Sequence, residues 1–199
     1  PGNVASATAG AYEIANSCRF NDDDGAYMHK TPGSAGNRRT FTYSGWLKRG
    51  NLVTASTYNH RFFGVSDGGS EEGFQFYTHP NGAALHINAG GGGAERITNA
   101  VFRDTSAWYH VVVACDTTES TANDRLKLYV NGVQITSFAT VVNADQNNEG
   151  GICNAVEHQV GRQSTTSRYY DGYIAEVCLI DGQALTPTSF GEFDEDSPN

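Results

Sequence analysis

The sequence predicts an all-β chain, two antiparallel sheets packed face to face as a β-sandwich, and three observations carry that expectation. Short runs of alternating apolar and polar residues, rich in aromatic and β-branched types, recur along the chain. Glycine is abundant, 23 of 199 residues, and supplies the positive-φ positions that tight turns require. Helical periodicity is nearly absent, so nothing is available to cover the faces of a parallel sheet.

Each element has its own local signal. Residues 40–48 place Phe41, Tyr43 and Leu47 on one face and Thr42, Ser44 and Trp46 on the other, the pattern of a half-buried strand. Residues 108–115 are apolar on both faces and suit a central strand covered on both sides. In residues 126–135, Asn131-Gly132 fits a type I′ turn and makes the flanking runs an antiparallel hairpin. Further strands are expected at residues 15–20, 61–65, 74–78, 84–88, 158–161 and 172–180, with another near Arg96. Thr186-Pro187 starts the one short helical turn, Thr186 capping and Pro187 at the first position. Gly90-Gly91-Gly92-Gly93 lacks the Lys-Ser/Thr of a phosphate-binding loop and reads as a mobile connection. Residues 1–193 are expected to form one domain, and 194–199 an acidic tail trailing into solvent.

Composition narrows the function. Thirteen Lys plus Arg against 22 Asp plus Glu give a net charge of −9, which disfavours binding to a phosphate backbone and excludes nucleic acid as an expected partner. No stretch approaches the roughly 18 to 20 consecutive apolar residues of a membrane helix, so membrane insertion is not expected. Cys18, Cys115, Cys153 and Cys178 show no CxxC spacing, and no disulfide is expected. The six histidines lack HxH or HExxH spacing and read as structural or surface residues.

Two loops have the chemistry of a recognition site. Arg162, Arg168, Tyr169 and Tyr170 combine aromatic faces, which stack on sugar rings, with guanidinium groups, which bond hydroxyls; Tyr58 and Asn59 form a second such mixture. Asp22, Asp23 and Asp24 crowd three carboxylates after the first strand, a concentration of hard oxygen ligands that makes them candidate calcium ligands. The segment Asp145-Gln146-Asn147-Asn148-Glu149-Gly150 is like the first half of an EF-hand loop, but Val156 stands where a bidentate Glu is needed. A glycosidase would need two carboxylates flanking the scissile bond, one acid and one nucleophile or base. The nearest pattern, Glu192-Phe193-Asp194-Glu195-Asp196, lies in the acidic end.

The run Trp108-Tyr109-His110-Val111-Val112-Val113, the hairpin Leu126-Lys127-Leu128-Tyr129-Val130-Asn131-Gly132-Val133, and the closing Tyr170-Asp171-Gly172-Tyr173-Ile174-Ala175-Glu176-Val177 resemble laminin-G-like, concanavalin A-like domains over residues 13–193. That resemblance implies a concanavalin A-like jelly roll whose first strand pairs with its last, and loops that often bind Ca²⁺. The wording of residues 31–42, 102–110 and 181–187 is similar to laminin-G-like domains of tailed-bacteriophage virion proteins. This implies a non-catalytic domain on the virion surface, folded in the host cytoplasm before assembly. Its implied partners are host cell-surface glycans and other virion proteins, with threefold self-association by analogy to fibres and spikes. A structural decoration or cement protein is the alternative, and a glycoside hydrolase the third reading.

Overall fold

A computed structural model describes residues 15–52, 60–66, 71–77, 83–163 and 168–192. In chain order the strands are β1 (Cys18–Phe20), β2 (Met28–Lys30), β3 (Thr40–Arg49), β4 (His60–Ser66), β5 (Glu71–Tyr77), β6 (Ala84–Asn88), β7 (Glu95–Val101), β8 (Tyr109–Asp116), β9 (Leu126–Val130), β10 (Val133–Gln134), β11 (Phe138–Val142), β12 (Glu157–Val160) and β13 (Gly172–Asp181). They form a six-stranded sheet, β1-β13-β3-β8-β9-β10, and a seven-stranded sheet, β11-β7-β6-β5-β4-β12-β2. Every pairing is antiparallel, as expected. Between the sheets, Phe41, Tyr43 and Leu47 of β3 and Val111, Val113 and Cys115 of β8 meet Phe62, Phe74, Phe76, Leu85 and Ile87. Tyr43 lies 5.0 Å from Phe63 and 5.2 Å from Phe74, centre to centre.

The expected hairpin is present, with Asn131 at φ 49° and Gly132 at φ 77° and Val130 opposite Val133. β1 pairs with β13, Cys18 opposite Ile174, the closure implied by the resemblance. Only residues 18–20 of the expected 15–20 are paired.

β3 differs from its expectation. Thr42 and Ser44 are as buried as the apolar residues between them, because the chain after β13 returns across the outer face of the six-stranded sheet. Thr42 Oγ1 donates to the Gln183 carbonyl at 2.7 Å and accepts from the Leu185 N–H at 2.7 Å. Phe190, at the end of the 3-10 turn Pro187–Ser189, packs on Val112, Ala114 and Tyr129. This return gives β8 its cover on the outer side.

The tetraglycine is also corrected. Its four residues all have positive φ, and the turn is held by the Asn148 amide on the Gly90 carbonyl at 3.0 Å. The Gly91 N–H donates to the buried Glu72 carboxylate, joined by the N–H groups of Gly151 at 2.8 Å and Ile152 at 3.0 Å. The loop therefore is an anion cradle, and its anion is a side chain of the same protein. All four cysteines are free.

Candidate functional site

The site is built where β12 ends. Gly161 has φ 83°, and a Cβ there would collide with the Phe20 ring, so the position requires glycine. Its N–H donates to the Phe62 carbonyl at 3.0 Å and its carbonyl accepts from Tyr170 at 2.8 Å. The chain then doubles back so that Arg162 and Tyr169 form an isolated antiparallel bridge. Residues 164–167 between them lie outside the described residues.

Arg162 stands at the centre of the cluster. Its guanidinium carbon lies 3.6 Å from the centre of the Tyr27 ring and 5.8 Å from that of Tyr169, and Nη1 donates to Tyr169 Oη at 3.5 Å. Nη2 is 3.7 Å from Glu157 Oε1, and Nε donates to Gln159 Oε1 at 3.4 Å. Glu157 Oε2 meets His29 Nδ1 at 3.2 Å, and the Tyr27 and His29 rings are 5.5 Å apart. The register explains the convergence. His29 lies opposite Gln159, and Gln159 opposite Gly64, so these side chains share the outer face of the seven-stranded sheet while Met28, Val160 and Phe63 share the inner one. The Arg162 side chain is 12% exposed against 55% for His29. The cation is thus held over the Tyr27 ring with Tyr169 to one side, and it has a polar, accessible border.

Of the residues expected from sequence, Arg162 and Tyr169 come together, and Arg168, which precedes Tyr169, is half-buried. Tyr170 does not join them. Its ring is fully buried, edge-on to Phe20 and Phe62, and its Oη donates to the Lys48 carbonyl at 3.0 Å. Burial pushes its phenol far up and leaves no face for a ligand: adjacent residues of an extended chain point to opposite sides. Tyr58 and Asn59 lie outside the described residues. Sequence reasoning missed Tyr27, His29, Glu157 and Gln159. Their signal is the i, i+2 spacing of two pairs, which β2, only three residues long, is too short to make visible.

In the expected calcium cluster of Asp22, Asp23 and Asp24, Asp24 accepts from the Asn21 amide at 2.8 Å, and among the described residues no three His, Cys, Asp or Glu side chains gather where they could hold a metal. At the second loop, Glu149 is occupied by Arg38 at 3.3 Å and Arg39 at 3.0 Å.

Deeper on the same outer face, Gln75 Nε2 donates to His86 Nδ1 at 2.6 Å, and His86 Nε2 reaches Glu95 Oε2 at 3.0 Å. The second distance would suit an ion pair, but burial and then the Arg61 charge push His86 down to about 4. The imidazole is therefore neutral, and its Nε2–H donates an ordinary hydrogen bond. This chain links β5, β6 and β7 across the sheet. On the inner side of β2 and β12, a cleft of about 660 Å³ opens between the sheets, lined by Met28, Phe63, Val160, Val177 and Leu179 with His158 and Asp181.

The architecture is shared with solved structures at low identity. A heptameric SAP-like pentraxin from Limulus polyphemus matches with a TM-score of 0.59 and 14% identity, covering 82% of this chain and 72% of the pentraxin. Domain 4 of the GH43 arabinanase AbnA from Geobacillus stearothermophilus, solved in complex with arabinotriose, matches at 0.51 and 19%, covering 76% and 65%. Tailspike protein 2 of the Escherichia coli O157:H7 bacteriophage CAB120 matches at 0.56 and 13%; the alignment covers 85% of this chain but 23% of the tailspike. These likenesses are of fold. No curated protein matches the sequence. The family pattern aligns over residues 21–189, β2 to β13 and the returning segment included, and by that match the chain belongs to the concanavalin A-like lectin/glucanases superfamily.

Proposed function

We propose that the protein binds glycans without cleaving them, through the Arg162 cluster, and does so on the surface of a tailed-phage virion as an adhesive domain for host polysaccharide. The observation that carries the glycan reading is the guanidinium held 3.6 Å over Tyr27 and bridged to Tyr169. A fixed donor fork beside aromatic planes suits hydroxyl or carboxylate groups projecting from a sugar ring. The non-catalytic reading rests on two carboxylates of that face: Glu157 is bonded to Arg162, His29 and Gln159, and Glu95 to His86. Neither is left as an unengaged acid or base of the kind glycoside cleavage uses. The virion context is supported by the phage-like wording of residues 31–42, 102–110 and 181–187.

A second reading, a structural decoration protein contacting other virion subunits, is favoured by the apolar inter-sheet cleft, at whose mouth Met28 is 48% exposed. The deciding experiment is a glycan array including bacterial surface polysaccharides, run with the native chain and with the Arg162→Ala, Tyr169→Ala double variant. Binding that the double variant loses supports adhesion through this cluster. Binding it retains removes the cluster, and no binding at all leaves the structural role.

A further inference from the structure

The outer face of the other sheet carries a second aromatic feature. Trp46 on β3 lies opposite Ala175 on one side and His110 on the other. Its ring stacks on His110, 4.8 Å between centres and 24° between planes, and His110 is anchored by Ser44 Oγ at 2.9 Å and by its own N–H on Asn131 Oδ1 at 2.8 Å. Trp108, two residues before His110, continues that face. Ala175 is too small to fill the space beside the indoles, and β13 bulges immediately after it, with Glu176 at φ 49°. A hollow of about 320 Å³ results, floored by Ala175, walled by Trp46 and Trp108, and bordered by the exposed Asn16 and Ser17. Its size is at the low end of small-molecule sites, about 300–1,000 Å³. No charged side chain lines it among the described residues.

We propose that this hollow is a binding subsite for an uncharged pyranose ring with equatorial substituents, on the face opposite the Arg162 cluster. Such a ring presents axial C–H groups that lie against indole planes, while its edge hydroxyls meet an amide and a hydroxyl side chain. The uncharged lining sets it apart from the arginine site and selects neutral or N-acetylated sugars. The bulge and the alanine are what open the space, and bulges commonly re-aim side chains at such places. The proposal shares the ligand class of the preceding reading but rests on different residues, so either can fail alone.

The chain has two tryptophans, and both line this hollow, so intrinsic fluorescence reports its occupancy directly. Titration of the native protein with cellohexaose and with triacetylchitotriose is expected to give a saturable emission change with at least one of them. Trp108→Ala and Ala175→Leu, the second of which fills the hollow and keeps both indoles, are each expected to weaken that binding roughly tenfold or more, with melting temperatures verifying that both fold. The Arg162→Ala, Tyr169→Ala variant is expected to retain the response. No emission change with either sugar overturns the proposal, as does a response undiminished in Ala175→Leu. An emission change produced by protein concentration alone overturns it too, and reassigns the hollow to self-association.

Discussion

The N–H of Ile152 donates to Glu72 Oε2 at 3.0 Å, inside a protein that leaves Glu72 1% exposed. With Gly91 and Gly151 also donating, one carboxylate ties β5 to the glycine turn before β7 and to the loop before β12. Removing it orphans three buried N–H groups. Glu72→Ala is expected to lower stability by about 3 kcal/mol in urea unfolding. It is also expected to speed hydrogen exchange at Gly91, Gly151 and Ile152, whereas unchanged exchange there would show that the cradle does not depend on the carboxylate.

Stability is expected to fall steeply with acid. Burial, with smaller contributions from nearby arginines, pushes both His60 and His86 from 6.5 down to about 4. Above pH 6.5 both are neutral folded and unfolded, and the native state is undiminished. Between pH 6.5 and 4 the unfolded chain takes up two protons that the native state refuses, costing about 2.7 kcal/mol per pH unit in the middle of that window. Thermal melts from pH 7 to 4 should show the loss, and His86→Gln should flatten the slope; an equal slope in that variant would refute the assignment.

Gly161→Ala should be costly out of proportion to one methyl group. The position combines φ 83° with contact against Phe20, and a loss of about 2 kcal/mol is expected. Because Arg162 follows directly, glycan affinity should drop with stability. If the variant unfolds at the native denaturant midpoint, the close approach to Phe20 is not a constraint.

Phe190→Ala tests the returning C-terminal segment. Uncovering Val112, Ala114 and Tyr129 should cost about 1–2 kcal/mol and expose the outer face of β8, read as increased dye binding at unchanged secondary structure. A neutral result would mean that the hydrogen bonds of Thr42, and not the ring, hold the segment down.

What could be read from the chain beforehand was what is local in it. Asn131-Gly132 encodes its own turn, and Arg162 and Tyr169 sit close enough in sequence to be grouped. Tyr27 joins them through the pairing of β2 with β12, a long-range register that no short window contains. Thr42 and Ser44 look solvent-facing by alternation, and their burial comes from residues 183–190. Tyr170 fails for a related reason, since a mixed loop does not announce which of two adjacent tyrosines turns inward. Glu72 has no signal of its own, because the N–H groups that surround it come from two loops distant in the chain.

The pairing of β1 with β13, and of β13 with β3, sets the order in which the molecule can be made. β3 ends at Arg49, yet one of its two hydrogen-bonding partners, β13, does not begin until Gly172 and leaves the ribosome long after it. Until then its edge is open, and edges of that kind recruit strands from other chains. Closure across nearly the whole sequence also slows folding. Expression of this protein should therefore be limited by the nascent chain: a product stopped before residue 172 lacks the strand that seals β3, and aggregates where the full chain folds.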